Sequence, residues 1–90
     1  MAKKESTLGS GQNIAYILVK CKLGLEEKVV SSLKKIDGVA EVEQVYGTPY
    51  DIVVKVECDT PKKLGAAVWQ IRRTARIIST QTMLVAAFSK

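Results

Sequence analysis

Histidine is absent from this chain of 90 residues, and cysteine occurs only twice, as Cys21 and Cys58. Without histidine the sequence has no Cys/His zinc site and no catalytic arrangement in which histidine is the base. Each cysteine lies within or at the end of an apolar run, where a reduced thiol packs as a small hydrophobic group. We therefore expect no metal site and no cofactor.

Long apolar runs are also missing. No stretch approaches the roughly 18 apolar residues that a membrane-spanning helix requires. Lys3 and Lys4 precede a polar stretch rather than the apolar part of a secretory leader. We expect a cytoplasmic protein without a membrane partner. A domain of this size buries only about 60–65% of its unfolded surface, which favours oligomerisation.

Residues 1–12, MAKKESTLGSGQ, predict a flexible tail, and residues 13–90 predict one domain. The apolar pattern of that domain predicts the order βαββαβ. Strands are predicted over 14–22, 39–46, 50–58 and 76–88. The helices are predicted from the apolar stripes Leu25/Val29/Leu33/Ile36 and Leu64/Val68/Ile71/Ala75. Gly38 is expected to end the first helix in a left-handed cap, and Thr60 with Pro61 to begin the second.

Two interlocked, right-handed βαβ units predict a ferredoxin-like α+β fold. Its four-stranded antiparallel sheet has the strand order 4-1-3-2 and carries both helices on one face. Cys21 and Cys58 then lie at opposite ends of the sheet, beyond the roughly 7 Å that a disulfide allows between Cα atoms. β-Branched and aromatic side chains occupy the other face, so we expect a homodimer packed sheet to sheet as an α/β barrel.

The segment VYGTPYDIVVKV, from Val45 to Val56, contains an unusual turn between strands. Asp51 has no second acid or histidine beside it in the pattern, so an acid–base pair and an enzyme are not expected. Its carboxylate, with backbone amides and tyrosines around it, suits the ammonium group of a small zwitterion. The alternative is an aspartate that only caps its own turn, and the residues alone do not decide between the two.

The net charge of +5 raises nucleic acid as a second class of ligand. Only Arg72, Arg73 and Arg76 are close together in the sequence, and a solvated helix face explains such a group. A ferredoxin-like sheet can bind RNA on aromatic residues of its central strands. The KGFGFV-like stretch of those proteins is missing here, and YDIVVKVE stands in its place. Direct nucleic-acid binding is therefore not expected, although it stays as the weaker alternative.

The stretch IDGVAEVEQVYGTPYDIVVKVE resembles the effector domain of the leucine-responsive/asparagine regulator (Lrp/AsnC) family of transcription factors. The matching residues are Gly38-Val39, Gly47 with Tyr50-Asp51, and Thr80 with Thr82. The resemblance extends from Ile14 to about Phe88. Two departures stand out: the turn GTPYD is one residue longer than the commonest family form, and Arg76-Ile77 replaces the Gly-Val that usually precedes the last strand.

The resemblance implies a RAM-type (regulation of amino-acid metabolism) domain that senses small amino acids bound between dimers. Dimers would assemble further, from a tetramer to an octamer or decamer. Carried over, the ligand-binding residues are Gly47, Thr48, Tyr50, Asp51, Thr80 and Thr82. Family members usually carry a helix-turn-helix domain ahead of this one, so we expect a stand-alone effector domain, with full-length relatives as further partners. A purely structural oligomerisation module is the alternative.

Overall fold

Six elements follow one another in the order βαββαβ in the computed structural model of the chain, which describes residues 13–47 and 49–85. They are β1 (Asn13–Cys21), α1 (Glu26–Lys34), β2 (Val39–Gln44), β3 (Ile52–Cys58), α2 (Pro61–Arg72) and β4 (Ile77–Leu84). The strands form one antiparallel sheet in the order β2-β3-β1-β4. This order confirms the predicted ferredoxin-like topology.

The hydrophobic core lies on one face of the sheet, because alternate residues of the two central strands point the same way. These are Ala15, Ile17, Val19 and Cys21 on β1 and Ile52, Val54, Val56 and Cys58 on β3, all of them buried. The helices cover this face with Val29 and Leu33 of α1 and Leu64, Ala67 and Ile71 of α2. Both predicted helices therefore pack on the same side of the sheet.

The start of α2 confirms its sequence signal. The Thr60 hydroxyl accepts a hydrogen bond from the backbone N–H of Lys63 at 3.1 Å, and Pro61 occupies the first turn. The helix ends at Arg72, however, so Ala75 lies beyond it and is exposed. The prediction that Ala75 belongs to the buried stripe was wrong, because the chain has already turned toward β4 at that point.

The predicted role of Gly38 was also wrong. Helix α1 ends at Lys34, and its C-cap is Lys35 with an ordinary φ of −87°. Gly38 lies in the following turn into β2 and does have a left-handed φ of +97°. A Cβ at this position would lie 2.7 Å from the Cys58 sulfur. Glycine is needed here for a close approach to β3, and not to end the helix.

The two cysteines are free and lie at opposite ends of the sheet, as the topology predicts. Cys58 pairs with Asn13 at the start of β1, whereas Cys21 is the last residue of that strand. Burial raises the pKa of both thiols, which keeps them protonated at neutral pH.

The strand ends differ slightly from their predicted positions. β2 ends at Gln44 rather than at residue 46, and β4 begins at Ile77 and ends at Leu84. The predicted continuation of the last strand over 86–88 and the predicted tail over 1–12 lie outside the described residues. Within the described part of the chain, no helix has the length and apolarity needed to cross a membrane.

Gly65→Ala should raise the free energy of unfolding by about 0.5–1 kcal/mol, because glycine is unfavourable inside a helix. Gly65 is exposed in α2, and a Cβ there would meet no atom within 4 Å. Urea unfolding followed by circular dichroism measures the change. An unchanged or lower urea midpoint would contradict the expected cost of glycine at this position of α2.

Candidate functional site

Asp51 lies at the entrance to β3 and is held against the end of β1. Its backbone N–H donates to the carbonyl of Val19 at 2.8 Å. Its carboxylate oxygen Oδ2 accepts a hydrogen bond from the backbone N–H of Cys21 at 3.2 Å. The Asp51 carboxylate thus binds a strand 30 residues away in the sequence, and among residues 45–47 and 49–51 it caps no amide of its own turn. The side chain is only half-buried, so it can still be reached from solvent.

The turn between β2 and β3 is closed by the Val45 N–H, which donates to the carbonyl of Asp51 at 2.7 Å. Gly47 is exposed in this turn, and Tyr50 is half-buried beside Asp51. Gly47, Tyr50 and Asp51 are thus brought together at one end of the sheet. Thr48, the fourth predicted residue of this turn, lies outside the described residues.

The two threonines of the predicted site lie on the other side of β1. Thr80 pairs with Val19 and Thr82 with Ile17 in the β1–β4 ladder. Paired residues share a face of the sheet, so both threonines lie on the helix-covered side, where each is half-buried. Thr82 lines a groove of about 570 Å³ between α2 and β4, with Leu64, Val68 and Trp69 among its neighbours.

One chain does not gather the predicted residues into a single cluster. Asp51 contacts β1 from the β3 side, whereas Thr80 contacts the same strand from the β4 side. Two strand spacings separate them, about 10 Å. Thr82 lies a further two residues along β4, about 7 Å at the usual rise. The turn residues and Thr80 share one end of the sheet, and Thr82 points toward its middle.

Charged residues lie in the segments that meet at this end of the sheet. The negative charges of Asp51 and Glu26 add to burial in raising the pKa of Cys21, and Lys20 opposes them. Lys20 is half-buried and Lys22 exposed, so two cationic residues flank Cys21, whose amide binds the Asp51 carboxylate. A zwitterion placed here would meet groups of both signs.

Arg76 belongs to the same end of the sheet, and the carried-over site did not include it. Its carbonyl accepts a hydrogen bond from the Lys22 N–H at 3.0 Å, next to the Cys21 N–H that binds Asp51. Its φ is +73°, the left-handed region. The sequence contained a signal for this conformation, since Arg76 stands where the resembled family usually has glycine.

Arg72 and Arg73, the other two members of the basic group, interact with helix α2. Arg72 lies in the last turn of the helix, where a cation interacts favourably with the helix dipole. The guanidinium of Arg73 stacks on the exposed ring of Trp69, 4.3 Å from the ring centroid. This pairing gives Arg73 a role within the chain, and Arg76 is separated from both by the turn into β4.

Comparison with known proteins adds three relatives. A segment of homocitrate synthase from Sulfurisphaera tokodaii is 40% identical over 72 residues, covering 79% of this chain and 15% of that enzyme. The HTH-type transcriptional regulator FL11 of Pyrococcus abyssi is 33% identical over 72 residues, covering 80% of this chain and 47% of the regulator. The crystal structure of FFRP-DM1 is 37% identical, with a TM-score of 0.75, and the match covers 82% of this chain and 99% of that one.

The chain thus spans less than half of the regulator and a small part of the enzyme to which it is similar. In contrast, it matches almost the full length of FFRP-DM1. The family model for the Lrp/AsnC ligand binding domain matches residues 14–89, which is nearly the whole of the predicted domain. The chain therefore belongs to the Lrp/AsnC ligand-binding domain family.

Proposed function

We propose that this chain is an amino-acid effector domain that acts as a homo-oligomer and catalyses no reaction itself. The observation that carries the proposal is the Asp51 carboxylate, which is fixed in position by the Cys21 amide yet remains open to solvent. A positioned carboxylate suits an ammonium group, because a charge-assisted hydrogen bond is about twice as strong as a neutral one. Membership of a ligand-binding family supports this use of the site.

We propose that the complete site forms between subunits. Asp51 and the threonines are too far apart for one small ligand to touch all of them within a single chain. Gly47 is exposed and Tyr50 and Asp51 are half-buried at one corner of the sheet, where a neighbouring subunit can supply the missing contacts. In such an assembly, Thr80 and Thr82 of one subunit would contact the ligand bound at the Asp51 of a neighbouring subunit, or line the path by which that ligand enters.

The subunits are proposed to dimerise through the sheet face that the helices leave open. Leu18 pairs with Val53 in the middle of this face, and both are half-buried. Tyr16 and Met83 flank them with 37% and 46% of their surfaces exposed. These four side chains form an apolar patch, and Lys55, which pairs with Tyr16, lies beside it in an ion pair with Glu57 at 2.9 Å. Apolar patches bordered by charged residues are typical of protein interfaces.

Larger proteins of the same family are the proposed wider partners. The domain recurs beside different units, since its match occupies 47% of the regulator FL11 and 15% of homocitrate synthase. We propose that the dimers assemble further and that mixed assemblies with such relatives carry the ligand signal. The two reduced, buried thiols fit a cytoplasmic location.

The second candidate is a purely structural oligomerisation module. The hydrogen bond from the Cys21 N–H gives Asp51 a structural role, whether or not a ligand binds. This reading expects the same assembly with no response to amino acids. Calorimetric titration with each of the twenty amino acids distinguishes the two, since heat of binding from at least one of them is expected only for an effector domain.

Asp51→Asn should reduce affinity for the bound amino acid by about tenfold or more, since the charge-assisted bond to the ammonium group is lost. The asparagine amide oxygen can still accept from the Cys21 N–H, so the fold and the assembly should be kept. Asp51→Ala removes both interactions and should also lower stability by about 1–3 kcal/mol, because it leaves that amide without an acceptor. Calorimetry and urea unfolding measure the two effects.

Wild-type affinity in Asp51→Asn would show that the carboxylate serves only the fold. A loss of binding accompanied by dissociation of the assembly would likewise argue against a direct contact with the ligand. The proposal is therefore supported if both variants lose affinity for the amino acid and only Asp51→Ala also loses stability.

A further inference from the structure

Arg76 adopts a backbone conformation that arginine normally avoids. Its φ of +73° makes it the one non-glycine residue with a positive φ among residues 13–47 and 49–85. The left-handed region is unfavourable for a residue with a Cβ, and glycine would adopt it freely. The strained arginine is exposed and fills no core position. Strain of this kind is concentrated at functional positions, so a strained arginine on the surface points to a function for its side chain.

Two consecutive amides connect this residue to the proposed ligand site. The Cys21 N–H binds the Asp51 carboxylate, and the Lys22 N–H binds the Arg76 carbonyl. Ile77, the next residue, pairs with Cys21 at the start of β4. Asp51 and Arg76 therefore flank the same end of β1, one on the β3 side and one on the β4 side.

Charges of both signs meet at this end of the sheet. Lys20, Lys22 and Arg76 supply cations beside the Asp51 carboxylate, and Glu26 and Glu27 lie in the first turn of α1. Within the described part of the chain, the Arg76 guanidinium forms no ion pair, since the ion pairs there join Lys55 to Glu57 and Lys63 to Asp59. Asp51 suits an ammonium group and the cations suit carboxylates. The complementary ligand is an amino acid that carries one positive and two negative charges.

We propose that Arg76 binds the side-chain carboxylate of an acidic amino acid whose ammonium group binds Asp51. Arg76 lies on the β4 side of this end, so its long side chain would have to reach toward Asp51 on the β3 side for both to contact one ligand. The chain then selects aspartate or glutamate over their neutral amides. This inference rests on the proposed function, because it assigns a ligand class to the same site.

Calorimetric titration of the whole chain with L-glutamate and L-glutamine, each at low salt, tests the assignment. The wild type should bind glutamate at least about tenfold more tightly, the effect of one charge-assisted hydrogen bond. Arg76→Gly should lose that preference and leave the affinity for glutamine unchanged. L-aspartate against L-asparagine repeats the comparison with a shorter side chain.

Arg76→Gly is well suited to this test, because glycine relieves the left-handed strain and the variant should melt at or above the wild-type temperature. A loss of glutamate binding then reports on the guanidinium and not on unfolding. Arg76→Lys retains a cation and should keep part of the preference. Equal binding of glutamate and glutamine by the wild type would overturn the role of Arg76 and leave the effector function standing. If no amino acid binds the wild type, the effector function fails as well.

Discussion

Gly38→Ala should lower the free energy of unfolding by about 2–4 kcal/mol, which combines left-handed strain with overpacking. The new Cβ would lie 2.7 Å from the sulfur of Cys58 and 3.3 Å from the Ala67 Cβ. Both neighbours are buried, Cys58 on β3 and Ala67 on α2, so neither can move away easily. Urea unfolding followed by circular dichroism measures the loss, and the fluorescence of Trp69, the one tryptophan of the chain, gives a second signal.

Gly24→Ala is the matched control for this substitution. Gly24 has a similar φ of +86°, but a Cβ there would meet no atom within 4 Å. Gly24→Ala should therefore lower the free energy of unfolding only by the left-handed strain, about 1–2 kcal/mol. Cys58→Ala removes the sulfur, so the double variant Gly38→Ala/Cys58→Ala should lose less stability than the two single variants added together. Equal losses in Gly24→Ala and Gly38→Ala would contradict the steric explanation.

The order of the elements was predictable because apolar periodicity is a local property of the sequence. Alternation along β1 and β3 marked the core face, and the handedness of the crossovers then left one topology. The start of α2 was equally accessible, since Thr60 and Pro61 act within a single turn. These features depend on residues that are neighbours in the chain.

Features that depend on distant packing were not predictable. Gly38 carries the signature of a helix cap, but the Cys58 sulfur across the fold leaves no room there for a side chain. The hydrogen bond between Asp51 and Cys21 joins residues 30 positions apart, and neither side shows a sequence signal for the other. For the candidate site, the turn residues could be grouped from their order alone. The separation of Asp51 from Thr80 and Thr82 became visible only with the strand register.

The position of Arg76 lies between these cases. The replacement of a usual glycine was noticeable in the sequence, and the positive φ shows that the backbone there kept the conformation that glycine favours. The sequence could not show that the Lys22 amide holds this turn beside the Asp51 contact. The departure from the family pattern thus marked the position, and the strand pairing was needed to show that it lies beside the Asp51 contact.

Leu18→Glu should convert the proposed dimer into a folded monomer. Leu18 lies in the middle of the open sheet face, paired with Val53 on one side and Gln81 on the other. A two-fold interface places the substitution on both subunits, so two carboxylates would be buried there, and Lys55, the diagonal neighbour of Leu18, is already paired with Glu57. An uncompensated buried charge costs about 3–5 kcal/mol, so the dimer should weaken by a factor of about 100 or more. Sedimentation equilibrium over a range of concentrations measures this change.

Leu23→Glu introduces the same charge at a residue that is 94% exposed in the turn after β1, and it should leave the dimer intact. Circular dichroism of Leu18→Glu should match the wild type, because Leu18 points away from the helices and is outside the core cluster. If Leu18→Glu stays dimeric at wild-type strength, the open face is not the interface, and the site between subunits must be assembled through another surface. If it becomes monomeric and also loses amino-acid binding, while Leu23→Glu keeps both, the ligand site depends on this assembly.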